Sequence, residues 1–149
     1  MGGDAAVGRD VLPELDLDAG PRIARQIHEL IRSGLVRAAH DPSEGGLLPA
    51  LAEMAFAGGL GMELDLSKLP ICGNASVEAR AFAEDPARYV LEIDPARLDE
   101  VGAILAETPH AVIGTVDAGS EVVVRDGSTE LARMQIEDLR REWQEAIEQ

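Results

Sequence analysis

The sequence predicts an α+β domain: a mixed, mainly antiparallel sheet with helices packed on it. Three observations predict it. Helical and strand periodicities follow one another along the chain in the order α-β-α-β-(α)-β-α-β-β-β-α. The last three strands are neighbours in sequence, which favours antiparallel pairing over a doubly wound parallel sheet. The length of 149 residues with 46% hydrophobic content suits one globular domain and speaks against wholesale disorder.

Residues 1–17, rich in Gly, Ala and Asp and carrying Pro13, read as a leading linker, with a single domain over 18–149. Asp18 is placed to cap a first helix, with Pro21 tolerated in its first turn. Ile23, Ile27, Leu30 and Ile31 form its apolar stripe, and Ser33-Gly34 ends it. Val36 to Ala39 reads as a short strand and His40 to Gly46 as a loop. A second helix carries Leu47, Leu51, Met54 and Ala55 on one face and ends at Gly58-Gly59. Pro49 moves the expected start of its regular ladder to about that residue. Leu60, Met62, Leu64 and Leu66 alternate with polar or small residues, as a half-buried strand does. After a loop, a weak helix is expected over Ser76 to Phe82, then a strand over Arg88 to Ile93. Asp94-Pro95 is an N-cap and first-turn pair for a helix through Leu98, Val101 and Leu105, which Pro109 should end. Ala111 to Val116, Glu121 to Arg125 and Thr129 to Met134 read as strands, with Asp126-Gly127 as the turn of a hairpin. His110 should begin the first of these strands, and His28 lies on a polar helix face. Ile136, Leu139, Trp143 and Ile147 are the stripe of a closing helix.

The charge narrows the function. Thirteen basic against twenty-eight acidic residues give a net charge of −15, and only 3% of residues are aromatic. Nucleic-acid binding needs basic charge to displace counterions, and an anionic membrane would repel this surface. Neither partner is expected. A small anion remains compatible if backbone amides at one site overcome the global field. Cys72 is the one cysteine, so no internal disulfide can form; it reads as a small half-buried side chain. With three scattered histidines it makes no zinc spacing. No stretch reaches the about 18 apolar residues of a membrane span, and the first residues have no signal-peptide pattern. A cytoplasmic protein is expected.

Chemistry concentrates in VRAAHDPSEGGLLPALAEMAFAGG, Val36 to Gly59. A strand runs into a glycine-containing loop and then a helix, whose N-terminus exposes unpaired N–H groups and partial positive charge. The amides of Gly45, Gly46 and Leu47 with the Ser43 hydroxyl form a candidate phosphate site. The plainer reading of the same residues is a Ser43 cap and a tight turn. If Gly46 leaves room for phosphate, its dihedrals are those of an ordinary helix and Gly46→Val costs about 1 kcal/mol or less. That outcome is the one expected. His40 has two readings, a general base oriented by Asp41 or a residue that fixes the loop. Adjacent residues at a strand end point apart, which disfavours a His40–Asp41 dyad. His40, Asp41 and Glu44 match no common metal spacing. Glu84 and Arg88 form a second polar cluster; Arg88 suits a phosphate or a carboxylate, or belongs to a solvated loop. The charged residues of the closing helix read as its solvated face. No residue is assigned as catalytic or as a metal ligand.

These residues resemble the C-terminal half of the last synthetase module in the phosphoribosylformylglycinamidine synthase (formylglycinamide ribonucleotide amidotransferase) family. The resemblance rests on Gly34-Leu35-Val36, His40-Asp41, Ser43, Gly45-Gly46-Leu47 and Ala50-Leu51-Ala52-Glu53-Met54. Gly2-Gly3, Pro13 to Ala19, the run AFAEDPARYVLEID and the Leu139/Trp143 helix extend it over nearly the whole chain. It implies the C-terminal α+β domain shared with aminoimidazole ribonucleotide synthetase, selenophosphate synthetase, thiamine-monophosphate kinase and a hydrogenase maturation factor. It implies ATP and magnesium in the intact enzyme, and as partners its N-terminal synthetase domains and a glutaminase subunit or domain. Most ATP, magnesium and catalytic histidine positions lie in those N-terminal domains, so this chain alone is expected to bind no cofactor and turn over no ATP. The family's last module implies a non-catalytic auxiliary nucleotide, with His40 structural. Asp4, Pro49 and Asp85 depart from the family's pattern. The alternatives are a domain of another superfamily member and a stand-alone non-catalytic binding module.

Overall fold

The computed structural model describes residues 16–71 and 75–147; most of the leading linker and Cys72 lie outside them. The elements occur in the expected order. Helix α1 spans Ala19–Arg32, strand β1 Val36–His40, helix α2 Leu47–Gly58 and strand β2 Gly61–Asp65. Helix α3 is Val77–Phe82, strand β3 Val90–Ile93 and helix α4 Leu98–Leu105. Strands β4 Gly114–Asp117, β5 Glu121–Asp126 and β6 Thr129–Gln135 precede helix α5, Ile136–Ile147.

Local chemistry explains most boundaries. The Ser76 hydroxyl accepts from Ala79 N at the start of α3, and Asp94 accepts from Ala96 N ahead of a 3-10 turn that leads into α4. Helix α1 is capped by a different residue from the expected one. Asp18 makes no side-chain cap; Asp16 instead accepts from the amides of Asp18 and Ala19, each at 2.9 Å. Those hydrogen bonds to the charged form hold its carboxyl below the usual range. Of the α1 stripe, Ile27 and Leu30 are buried, while Ile31 is half exposed. Helix α4 ends at Leu105, before Pro109, where Ala106 leaves helical dihedrals with a positive φ of 46°. Gln26 of α1 donates to Ile104 O at 2.9 Å and Leu105 O at 3.0 Å, and its own oxygen accepts from Thr108 Oγ1 at 2.7 Å. That clasp satisfies carbonyls a helix end leaves open.

Three strand boundaries also shift. β3 begins at Val90, after Ala87 takes a positive φ of 59°. β4 begins at Gly114, so His110 precedes the strand, with its Nδ1 at 2.8 Å from Thr108 O. In the β5–β6 hairpin Asp126 pairs with Thr129, which moves the two turn residues to Gly127-Ser128. Gly127 has φ 59°, as such a turn requires.

The strands form two sheets where one was expected. β1 and β3 pair antiparallel as a two-stranded ribbon, and the other sheet has the order β4-β2-β5-β6. In it β2 and β5 are parallel, while β2–β4 and β5–β6 are antiparallel. The mixed, mainly antiparallel α+β class is therefore as expected. The buried residues divide in the same way. Leu47, Leu51, Ala55, Met62, Leu64 and Val124 belong to a larger cluster between α2, α5 and the four-stranded sheet. Ile27, Leu30, Leu35, Val101 and Leu105 form a smaller one between α1, α4 and the ribbon. In β3, Val90 packs on the larger cluster and Leu91 and Ile93 on the smaller, so the ribbon separates the two.

Candidate functional site

The loop between β1 and α2 crosses this division. His40 ends the ribbon strand, Pro42 is buried, and Asp41 O accepts from Ser43 N at 2.8 Å. Gly45 and Gly46 both have φ 79°, a region that costs L side chains strain. Gly46 has ψ −150°, so it is the non-helical N-cap of α2, and its expected helical dihedrals are overturned. A Cβ there would lie 2.5 Å from Phe82 C and 2.7 Å from Phe82 O. The glycine is required by the approach of the α3 end, whatever the loop binds. Helix α2 starts at Leu47, so Pro49 occupies its third position. An N–H there would have no helical acceptor, and the proline removes no hydrogen bond.

Of the candidate phosphate residues, Ser43 and Gly45 face solvent, while Gly46 and Leu47 are buried. The Gly45 amide donates to Glu84 Oε1 at 2.8 Å. The loop therefore already holds an anionic oxygen, supplied by the chain. Arg88 has partners on its own segment. Its guanidinium lies 3.5 Å from Asp85 and 3.4 Å from Ala83 O, so Asp85 is the carboxylate Arg88 takes.

His40 makes no dyad with the Asp41 side chain, which is 4.0 Å away. Its Nδ1 is 2.9 Å from Asp41 O and its Nε2 3.0 Å from Glu53 Oε2. Partial burial opposes charge on the ring. The Asp41 and Glu53 hydrogen bonds and the two carboxylate charges together outweigh it, and the histidine pKa is raised. Sequence reasoning assigned Glu53 no role. The available signal was its isolation, as the one charged residue of α2 among Leu51, Ala52, Met54 and Ala55. Beside the pair opens a largely apolar cleft of about 450 Å³ that includes Met54, Phe56, Leu60, Glu92 and Trp143. The rings of Phe56 and Trp143 are 5.5 Å apart in its wall. Among the described residues no three His, Cys, Asp or Glu side chains converge as a metal site. No helix of the described residues is long and apolar enough to cross a membrane.

Residues 3–127 match the family described as AIR synthase related protein, C-terminal domain. The phosphoribosylformylglycinamidine synthase subunit PurL of Moorella thermoacetica is 35% identical over 137 residues, 91% of this chain and 18% of that protein. That of Thermococcus kodakarensis is 38% identical over 130 residues, 87% of this chain and again 18% of the relative. The chain thus spans less than a fifth of these relatives. Among solved structures, PurLQS from Thermotoga maritima superposes with a TM-score of 0.78 at 20% identity, over 84% of this chain and 22% of that one. The hydrogenase maturation protein HypE superposes at 0.62 and 18% identity, over 76% and 42% of the two chains. Those structures bear on the fold alone, and it agrees with the sequence match: the chain belongs to the AIR synthase related protein C-terminal domain family.

Proposed function

We propose that this domain is one wall of a nucleotide- or phosphate-binding half-site in a phosphoribosylformylglycinamidine synthase. Such an enzyme uses ATP to phosphorylate the amide oxygen of formylglycinamide ribonucleotide, and ammonia from a glutaminase partner then displaces phosphate to leave the amidine. Its setting would be the cytoplasm, and its partners the N-terminal synthetase domains and the glutaminase. The similarity to the PurL subunits supports the assignment, and one of the similar structures is of PurL complexed with ATP. The observation that carries the site is the Gly45 amide, which holds a carboxylate oxygen at 2.8 Å ahead of the α2 N-terminus. An amide N–H that donates to one anionic oxygen there can donate to another. The Ser43 hydroxyl is the exposed donor beside it. Magnesium does not fit this wall, since no carboxylate cluster of the described residues converges on the loop. Its ligands would come from outside the described residues.

The test is a titration of the 149-residue chain with inorganic phosphate, read out by amide NMR shifts. Shifts that cluster at Ser43 to Leu47 support the assignment; shifts at Arg140 and Arg141 in their place remove it. The chain alone should hydrolyse no ATP. The full-length protein that carries this domain should form the amidine from the ribonucleotide, ATP and ammonia.

A further inference from the structure

We propose that His40 is a positioning residue: with both ring nitrogens protonated, it ties the Asp41–Gly46 loop to helix α2 and so orders the loop for anion capture. The capture step rests on the half-site reading above; the tie does not. Asp41 O, 2.9 Å from Nδ1, is a carbonyl and can only accept, so Nδ1 carries a proton. Nε2 lies 3.0 Å from a Glu53 oxygen. A bond there with the carboxylate ionised needs a second proton on the ring. The arrangement is then an imidazolium between a backbone carbonyl and a carboxylate, with Glu53 13 residues from the histidine in sequence.

The same Asp41 carbonyl accepts from Ser43 N at 2.8 Å. One chain of hydrogen bonds therefore runs from α2 through Glu53, His40 and Asp41 to the exposed residue that offers its hydroxyl. When Nε2 loses its proton, its lone pair faces the Glu53 carboxylate and the tie is broken. The charged groups around the ring favour the proton. Asp41 is on its own loop with an oxygen at 4.0 Å, Glu53 comes from α2, and Glu92 of β3 lines the same cleft. No Lys or Arg of the described residues lines that cleft. The raised pKa of His40 agrees with this geometry.

The test uses sulfate, which does not titrate between about pH 5.5 and pH 8, with the full 149-residue chain and NMR. The ring nitrogens of His40 should both carry hydrogen on the acidic side of a midpoint above the ordinary histidine value of about 6.5. The Ser43 amide shift should track the same midpoint. Sulfate affinity at Ser43 and Gly45 should fall about threefold as pH rises through it. By reciprocity, saturating sulfate then moves the midpoint up by about half a pH unit. Glu53→Gln should lower the midpoint and carry the affinity step down with it, and His40→Asn should abolish the step. Sulfate bound at the loop with an affinity that ignores the His40 titration overturns the inference and leaves the half-site standing. Sulfate absent from the loop in every variant removes the half-site and the capture step. The tie is then judged by Ser43 alone, and a Ser43 amide indifferent to His40 overturns it as well.

Discussion

The two buried clusters differ in what builds them. The larger is a sheet-on-helix core whose strands β2 and β5 lie side by side at the centre of four. The smaller depends on α1 and α4, two helices far apart in sequence, laid on a two-stranded ribbon. An isolated ribbon of two strands is marginal on its own, so its stability comes from what packs on it. The comparison teaches where the candidate site lies: on the first of the two segments that leave the weaker unit and enter the stronger, β1 to α2, the other being α4 to β4.

Gly46→Val should have the largest effect. The side chain meets the Phe82 backbone and the φ of 79° strains a β-branched residue. Overpacking and backbone strain together cost about 4 kcal/mol, read by chemical denaturation. A loss below about 1 kcal/mol would mean the end of α3 yields, and the seam is soft. Leu30→Ala comes next. Leu30 is 0% exposed at the heart of the smaller cluster, and its truncation should cost about 3 kcal/mol. Hydrogen exchange should then quicken in α1, α4, β1 and β3 while β2 and β5 stay protected. Equal loss in both sheets would make the molecule one cooperative unit and dissolve the distinction.

Glu84→Ala should cost about 1 kcal/mol, with faster exchange at the Gly45 amide that loses its acceptor. No change at Gly45 would show that solvent serves equally well there. The smallest effect is the pH dependence of Glu53→Gln. The histidine pKa is raised in the folded state, so the stability it contributes is fully present below about pH 6.5 and fades as pH rises through the folded value. Wild type should exceed Glu53→Gln in stability at about pH 5.5, and the gap should narrow by about pH 8. A gap that widens with pH would reverse the assigned proton.

The element order, the α+β class and most helix stops were legible because local chemistry sets them. Ser76 caps α3 and Asp94 caps the turn into α4, while Gly34 and Gly59 turn the chain at φ 65°. The division into two sheets was not legible, since pairing partners are non-local and alternation reports only that a strand has a buried face. The same limit applies to the site. Helical dihedrals were expected at Gly46, and the reason for its φ of 79° is Phe82, on another element. Neither Glu84 on Gly45 nor Glu53 on His40 can be read from spacing, because both contacts are made by the fold.

The Gln26 clasp has a consequence for the order in which the chain can assemble. Its acceptors on α4 lie 78 and 79 residues along from it. During synthesis α1 leaves the ribosome with its apolar stripe complete and has to wait for α4 before Ile27 and Leu30 are covered. The hairpin of β5 and β6 closes over a two-residue turn and faces no such delay. Refolding should therefore show hairpin protection before α1 protection. The interval is when an exposed α1 face is open to association with other chains.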